Sequence, residues 1–194
     1  MLSTGFSTLD RIIQRDEIVE FYSTDYNLLY EFYHRVIVVS SPVKVIIVGE
    51  RGGLNPLLIE RFKRIFQRDG DIYIRRAFKI EDVKPTIEEM GDEFILINPY
   101  HHGKNYTEIV AAIRKTKGRK FLFSNMDREV NGSLFGSHSV HSMIRLERGE
   151  RGFKAIVVKS LILEEVEIPF GYWEIFGKDQ GEGLMKWILT SSPP

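Results

Sequence analysis

The chain has 194 residues, 43% hydrophobic and 28% charged, as is typical of one soluble globular domain with a substantial core. Its 27 basic and 27 acidic residues cancel, so no overall positive field attracts nucleic acid or an anionic membrane. The lack of cysteine excludes disulfides, thiolate metal sites and cysteine nucleophiles. We find no signal peptide and no apolar run long enough to span a bilayer, so we expect a cytoplasmic protein that does not enter membranes.

The first third of the chain alternates β-prone and helical patterns. Residues 17–22 (EIVEFY) predict a strand, and Ser23, Thr24 and Asp25 supply residues that favour a helix N-cap. The buried stripe of that helix is predicted from helical spacing to comprise Leu28, Leu29, Phe32, Val36 and Ile37. The β-branched run 43–49 (VKVIIVG) is typical of a central parallel strand covered on both faces, and 55–68 predicts the next helix.

The same alternation continues to residue 125. Two further helices are predicted over 80–90, which Pro85 either interrupts or begins, and over 106–118, which ends at Gly118. The strands around them are predicted at 71–78, 93–99 and 120–125.

The last part of the chain has a different pattern. Alternating runs within 142–160 flank the turn RGERG at 148–152, which predicts an antiparallel β-hairpin, and a further β-prone run covers 163–175. The chain is therefore predicted to be an α/β protein with a mainly parallel central sheet flanked by helices and a C-terminal antiparallel hairpin. Ligands of such sheets bind at the carboxyl ends of the strands.

Four segments resemble the archaeal RecA-like recombinases RadA and RadB and the related KaiC-like proteins. They are 3–13 (STGFSTLDRII), 45–62 (VIIVGERGGLNPLLIERF), 121–125 (FLFSN) and 136–160 (GSHSVHSMIRLERGERGFKAIVVKS). The resemblance implies a RecA-like P-loop NTPase fold and one RecA-like domain over residues 1–194. It also implies that the chain corresponds to the ATPase core, without the family's N-terminal helical domain and polymerisation linker.

The family binds ATP with a loop of the form G-x-x-x-x-G-K-[ST], whose backbone N–H groups surround the phosphates. Without gaps, residues 23–30 (STDYNLLY) align with that loop. Ser23 and Leu28 then stand at the glycine positions, Leu29 at the lysine and Tyr30 at the Ser/Thr position. Asp25 adds a negative charge where phosphate would bind. The sequence therefore predicts a degenerate nucleotide site.

Three other catalytic positions of the family are also altered. Arg51 aligns with the glutamate that activates water, although Glu50 lies one residue earlier. Asn98 aligns with the magnesium-binding aspartate, and Met126 with the glutamine that senses the terminal phosphate. Because phosphoryl transfer depends on positioned charge and metal, the resemblance implies an inactive paralogue without nucleotide, metal or other cofactor.

Tyr26, Tyr30 and Tyr33 are spaced to share one face of the first long helix. In one interpretation they fill the volume that ATP occupies in the family. In the other they form an aromatic platform that binds a protein or peptide, since tyrosine is favoured at interfaces.

The remaining motifs do not predict a metal or nucleic-acid site. His138 and His141, like the adjacent His101 and His102, lack the further ligands that zinc needs. The segment 126–139 carries two acids, one arginine and one ring available for stacking, Phe135, so single-stranded DNA binding is disfavoured.

Three functional hypotheses follow. The first is a non-enzymatic module that binds a protein or peptide, by analogy an active recombinase or a KaiC-like ATPase, or a second copy of itself. The second is a recombination accessory protein that binds single-stranded DNA without ATP. The third is an ATPase with displaced catalytic residues, using Glu50 with Lys44 or Lys104.

Overall fold

The computed structural model describes residues 1–50, 53–103, 106–125, 138–149, 152–160 and 167–171. The helices and strands are, in chain order, α1 (Ser7–Ile12), β1 (Ile18–Ser23), α2 (Tyr26–Val39), β2 (Val43–Val48), α3 (Pro56–Phe66), β3 (Ile72–Ala77), α4 (Ile80–Met90), β4 (Phe94–Ile97), α5 (Tyr106–Lys115), β5 (Lys120–Asn125), β6 (Ser142–Gly149), β7 (Gly152–Lys159) and β8 (Glu167–Gly171).

The strands form one sheet in the order β3-β2-β4-β5-β1-β6-β7-β8. The pairs from β3 to β6 are parallel, whereas β6–β7 and β7–β8 are antiparallel. The sheet thus confirms the predicted α/β class, with its parallel centre and its C-terminal hairpin. Because the strands β1 to β5 are parallel, their carboxyl ends meet at one edge of the sheet, where such folds bind ligands.

Two apolar layers cover the two faces of the sheet. In β4, Ile95 and Ile97 belong to the layer beneath α1, α2 and α3, while Phe94 and Leu96 belong to the layer beneath α4 and α5. This division follows from the strand period of two. All five residues of the predicted stripe on α2 are buried.

Three helices differ in detail from the sequence prediction. The six-residue α1 was not predicted, because so short a segment carries less than two turns of periodicity. Helix α4 begins at Ile80 with Pro85 inside it; the bond that Pro85 cannot donate would go to Glu81, an exposed residue of the first turn. Helix α5 ends at Lys115, and Gly118 lies three residues beyond it with φ +79°. Within the described ranges no helix has the length and hydrophobicity to cross a membrane.

The first residues of the chain are held against α2 by a buried arginine. The Arg35 guanidinium donates to the carbonyls of Thr4 and Gly5, and it lies 3.8 Å from the centroid of the Phe6 ring. Gly5 has φ +75°, and a Cβ built on it would lie 2.6 Å from Arg35 Nη1. Position 5 therefore needs glycine both for its backbone conformation and for the space that Arg35 occupies.

We predict that Gly5→Ala destabilises the protein more than Gly103→Ala does. Gly103 also has positive φ, at +66°, but a Cβ there would meet only the Tyr106 hydroxyl, at an ordinary contact distance of 3.6 Å. The control should lose about 1–2 kcal/mol for the left-handed conformation, and Gly5→Ala about 1–3 kcal/mol more for displacing a tethered side chain. Urea denaturation of both variants measures the difference, and equal losses would show that Arg35 adjusts freely.

Candidate functional site

The connection between β1 and α2 consists of only Thr24 and Asp25. Ser23 ends β1 in a buried position, where its hydroxyl donates to the Leu146 carbonyl at 2.7 Å and accepts from the Asp25 N–H at 3.0 Å. A phosphate loop needs several consecutive backbone N–H groups that face a common point. A two-residue connection offers no such arc, so β1 passes almost directly into the helix.

Asp25 is the N-cap of α2. Its carboxylate accepts from the Leu28 N–H at 3.0 Å and forms an ion pair with Arg148 of β6. Burial alone would raise the pKa of Asp25, but the hydrogen bonds from Arg148 and Leu28 outweigh it and lower this pKa. The positive end of the helix dipole, where an anion would bind, is therefore already met by a carboxylate of the chain.

The other residues aligned with the phosphate loop lie in α2 itself. Leu28 and Leu29 are buried in the layer beneath the helices, and Tyr30 is half-buried. Their side chains pack into the protein, so none of them is placed to contact a phosphate. Arg51 and Met126 lie outside the described residues.

A cleft of roughly 530 Å³ opens beside this junction, between the ends of β1 and β6. Two arginines and two acids are among the residues that line it, and they form the pairs Asp25–Arg148 and Arg145–Glu147. Because these charges are paired, the cleft offers no excess of positive charge to a triphosphate.

The rings of Tyr26, Tyr30 and Tyr33 contact one another in sequence, and their burial increases from Tyr26 to Tyr33. The ring centroids of Tyr26 and Tyr30 are 5.6 Å apart, and those of Tyr30 and Tyr33 are 5.3 Å apart. Tyr33 is buried and donates to the Gly53 carbonyl at 2.8 Å, and burial raises its pKa. Tyr26 is exposed. Tyr33 therefore fills the interior, while Tyr26 is accessible at the surface.

His34 joins α2 to α3 in one tautomer. Its Nδ1–H donates to the Tyr30 carbonyl at 2.6 Å, and its Nε2 accepts from the Asn55 N–H at 2.7 Å. Burial lowers the pKa of His34 to about 4, against a smaller raising effect of the Tyr30 carbonyl. The ring is thus neutral at pH 7 and acts as a structural link, a role that the sequence did not indicate.

The next residues concern the position aligned with the magnesium-binding aspartate of the recombinases, where the structure shows backbone hydrogen bonds. Asn98, at the end of β4, has φ +55°; its N–H donates to the Phe123 carbonyl, and its carbonyl accepts from the His101 N–H. Arg76 donates to the Gly49 carbonyl at 3.0 Å, and His101 lies so close to Gly49 that a Cβ there would clash. Asn98 is therefore a turn residue in an uncommon conformation.

Lys44, one of the two lysines of the displaced-residue hypothesis, does not lie at the carboxyl edge of the sheet. It lies near the amino end of β2, where its Nζ donates to the Met90 carbonyl at 2.8 Å, so it faces away from the carboxyl edge. Glu50 follows β2 and is exposed. Lys104 lies outside the described residues.

The histidines do not form a metal site with other ligating side chains among the described residues. His141 accepts from the Ile18 N–H at 3.0 Å through Nδ1 and so helps join β1 to the start of β6. His138 is exposed, and no cluster of three or more metal-ligating side chains occurs in the part of the chain that the structure describes. The segment 126–137, considered for DNA binding, lies outside that part.

Strand β3 lies at an edge of the sheet and is apolar in its first half, before Arg75 and Arg76. Among the described residues it pairs only with β2, and its Tyr73 and Ile74 are 58% and 53% exposed. Leu57, in the first turn of α3, and Phe78, directly after β3, are also exposed. Edge strands of folded proteins are usually covered or charged, because their free N–H and C=O groups accept another strand.

A buried carboxyl lies in the middle of the sheet. Glu20 of β1 accepts from the Ser124 hydroxyl at 2.6 Å through Oε1, while its Oε2 has no hydrogen-bond partner among the described residues. Burial raises the pKa of Glu20 to about 7, against the lowering effect of Ser124. The neighbouring Tyr22 hydroxyl is also buried without a partner among those residues. The only sequence signal was an isolated acid in a β-prone run.

No family model and no curated protein matches the chain. Among 164 matching chains of solved structures is one of a DnaB-like replicative helicase, in a structure that describes its interactions with primase. It has a TM-score of 0.63 and 11% identity, over 88% of this chain. The chain spans 60% of the length of that helicase. The fold is RecA-like, as the sequence predicted.

We predict that Glu20 makes a contribution to stability that falls as pH rises, while His34 acts in the opposite direction over much the same range. An acid whose pKa rises from 4.5 to about 7 on folding stabilises the folded state fully below pH 4.5, and it contributes about 3 kcal/mol less by pH 7, because each pKa unit corresponds to ~1.4 kcal/mol. A histidine whose pKa falls from 6.5 to about 4 on folding gives a gain of similar size between pH 4 and pH 6.5. Glu20→Gln should remove the Glu20 contribution, so that stability rises with pH more steeply in the variant than in the wild type.

The measurement is urea denaturation at several pH values across that range. Glu88→Gln, a change on the exposed side of α4, is the control and should keep the pH dependence of the wild type. Parallel curves for the wild type and Glu20→Gln would contradict the assignment.

Proposed function

We propose that the chain is a catalytically inactive RecA-fold module that binds an extended segment of a partner protein. The observation that carries the proposal is the β1–α2 junction, where the Asp25 carboxylate caps the helix N-terminus at which the resembled family binds phosphate. The loss of charge and glycine at the aligned positions supports the same conclusion, since phosphoryl transfer needs both metal and positioned cations.

The β3 edge supports the binding mode. An extended segment added beside β3 would satisfy its outer backbone groups and would cover Tyr73 and Ile74. These two residues point to opposite faces of the sheet, so an added strand would contact one of them on each face. The resemblance to recombinases suggests an active recombinase or a KaiC-like ATPase as the partner.

We predict that millimolar Mg-ATP does not raise the melting temperature of the protein. A ligand that binds the native state must raise it, and the junction offers no cradle for phosphates. Differential scanning fluorimetry tests this, with an active RadA-type recombinase as the positive control. A saturable shift would overturn the inactive assignment and favour the displaced-residue ATPase.

We predict that peptides selected for binding lose affinity when the β3 edge is charged. The probe is a phage-displayed library of random peptides selected on the wild-type protein. Tyr73→Glu with Ile74→Glu should weaken the selected peptides about tenfold or more, which corresponds to at least ~1.4 kcal/mol. Hydrogen exchange should show that bound peptides protect amides of β3.

Val158→Glu is the matched control, because Val158 is an exposed residue of β7 in the same sheet. It should leave peptide binding unchanged. Peptides that bind the β3 variant as tightly as the wild type would refute the site. Sedimentation velocity distinguishes a second copy of the chain from a different partner, since only the former gives concentration-dependent self-association.

A further inference from the structure

A second cleft lies at the opposite end of the sheet from the β1–α2 junction. It has a volume of roughly 500 Å³ and is bounded by the N-terminal residues, the end of α2 and the end of α3. Arg35 and Arg68 line it, and no acidic residue is among its described lining. We propose that this cleft binds a small oxyanion between the two arginines.

Arg35 is a buried cation that forms no ion pair with the described residues. Its side chain is only 4% exposed, and no carboxylate of the described residues lies within ion-pair distance. The guanidinium donates to two carbonyls and stacks on Phe6 and Phe66, at 3.8 and 4.8 Å from the ring centroids. A buried charge held only by neutral groups favours an anion from outside.

Arg68 supplies the second cation. It is exposed, and its backbone N–H donates to the Lys63 carbonyl at 3.0 Å, which fixes its place just after α3. The nearest acid on the side of Arg35, Asp10, is engaged with the Thr4 N–H and with the hydroxyls of Thr4 and Ser3. Asp10 keeps its charge and favours the charged form of Arg35 from outside the cleft, which it does not line.

The carbonyls at the end of α2 do not oppose an anion strongly. Val36 and Val38 accept from the N–H groups of Ser40 and Ser41, and the Ser41 hydroxyl also donates to Val38. Two of the last four carbonyls of α2 are thus already engaged. The charged lining of the cleft consists of Arg35 and Arg68, and its apolar walls come from Val39, Pro42 and Phe66.

This combination matches an oxyanion, which guanidinium groups bind in a planar, bidentate manner. The apolar walls would suit a carboxylate on an apolar body, while the arginines alone would suit inorganic phosphate. Both ligands present anionic oxygens to the guanidinium groups. The cleft does not include the β3 edge residues Tyr73 and Ile74, and the inference does not depend on the proposed function.

The test uses sodium benzoate and sodium phosphate as probes, each against sodium chloride at equal ionic strength. We expect a saturable rise in melting temperature with at least one oxyanion, with a dissociation constant on the order of 1 mM for so small a ligand. Amide chemical shifts should change around Ser3, Ser41 and Arg68. Benzoate binding alone would identify an organic carboxylate, and phosphate binding an inorganic or phosphoryl ligand.

Arg68→Gln should raise the dissociation constant at least tenfold without altering the fold, because Arg68 is exposed. Arg64→Gln, an exposed change in the last turn of α3, is the control and should bind as the wild type does. The proposal is overturned if neither oxyanion binds more tightly than chloride, or if Arg68→Gln and the wild type bind equally.

Discussion

The arrangement of the β1–α2 junction depends on how the positive N-terminus of α2 is neutralised. In a parallel α/β sheet the first turn of a helix that follows a strand presents unpaired N–H groups and a positive dipole end. Here Asp25 supplies the acceptor, and Arg148 holds its carboxylate in place from β6. A carboxylate of the chain itself therefore occupies the helix N-terminus that could otherwise bind a phosphate. The same Asp25–Arg148 ion pair links α2 to the C-terminal hairpin.

The early start of α2 determines how the adjoining space is used. Because the helix begins at Tyr26, its first two turns carry side chains where a loop would expose backbone. Tyr33 and His34 turn inward and bond to Gly53 and Asn55, so the segment that precedes α3 is fastened to α2. Tyr33 fills the interior, as the first interpretation of the tyrosines predicts, whereas Tyr26 remains at the surface, where binding of a partner stays a prediction.

The sequence predicted the sheet because its strands are apolar enough to be covered on both faces. The run from Val43 to Val48 leaves little ambiguity, and the stripe on α2 follows from helical spacing alone. Periodicity does not show whether a polar position in a strand is also covered. Glu20 is the third residue of β1 and Lys44 the second residue of β2, and both are charged residues in β-prone runs. Glu20 is nevertheless fully buried, whereas Lys44 is exposed near the amino end of its strand. Long-range polar contacts such as His34 to Asn55 leave no local signal.

The two apolar layers cover the sheet on both faces and account for its packing. Against that background Glu20 and Arg35 are the features that packing does not explain. An apolar residue at either position would fill the same layer without the penalty of burying a charge or a carboxyl. The two residues lie on opposite faces of the sheet, and neither forms part of the β1–α2 junction. Since the proposed loss of ATPase chemistry would account for neither, the surfaces beside them are where a further activity should be sought.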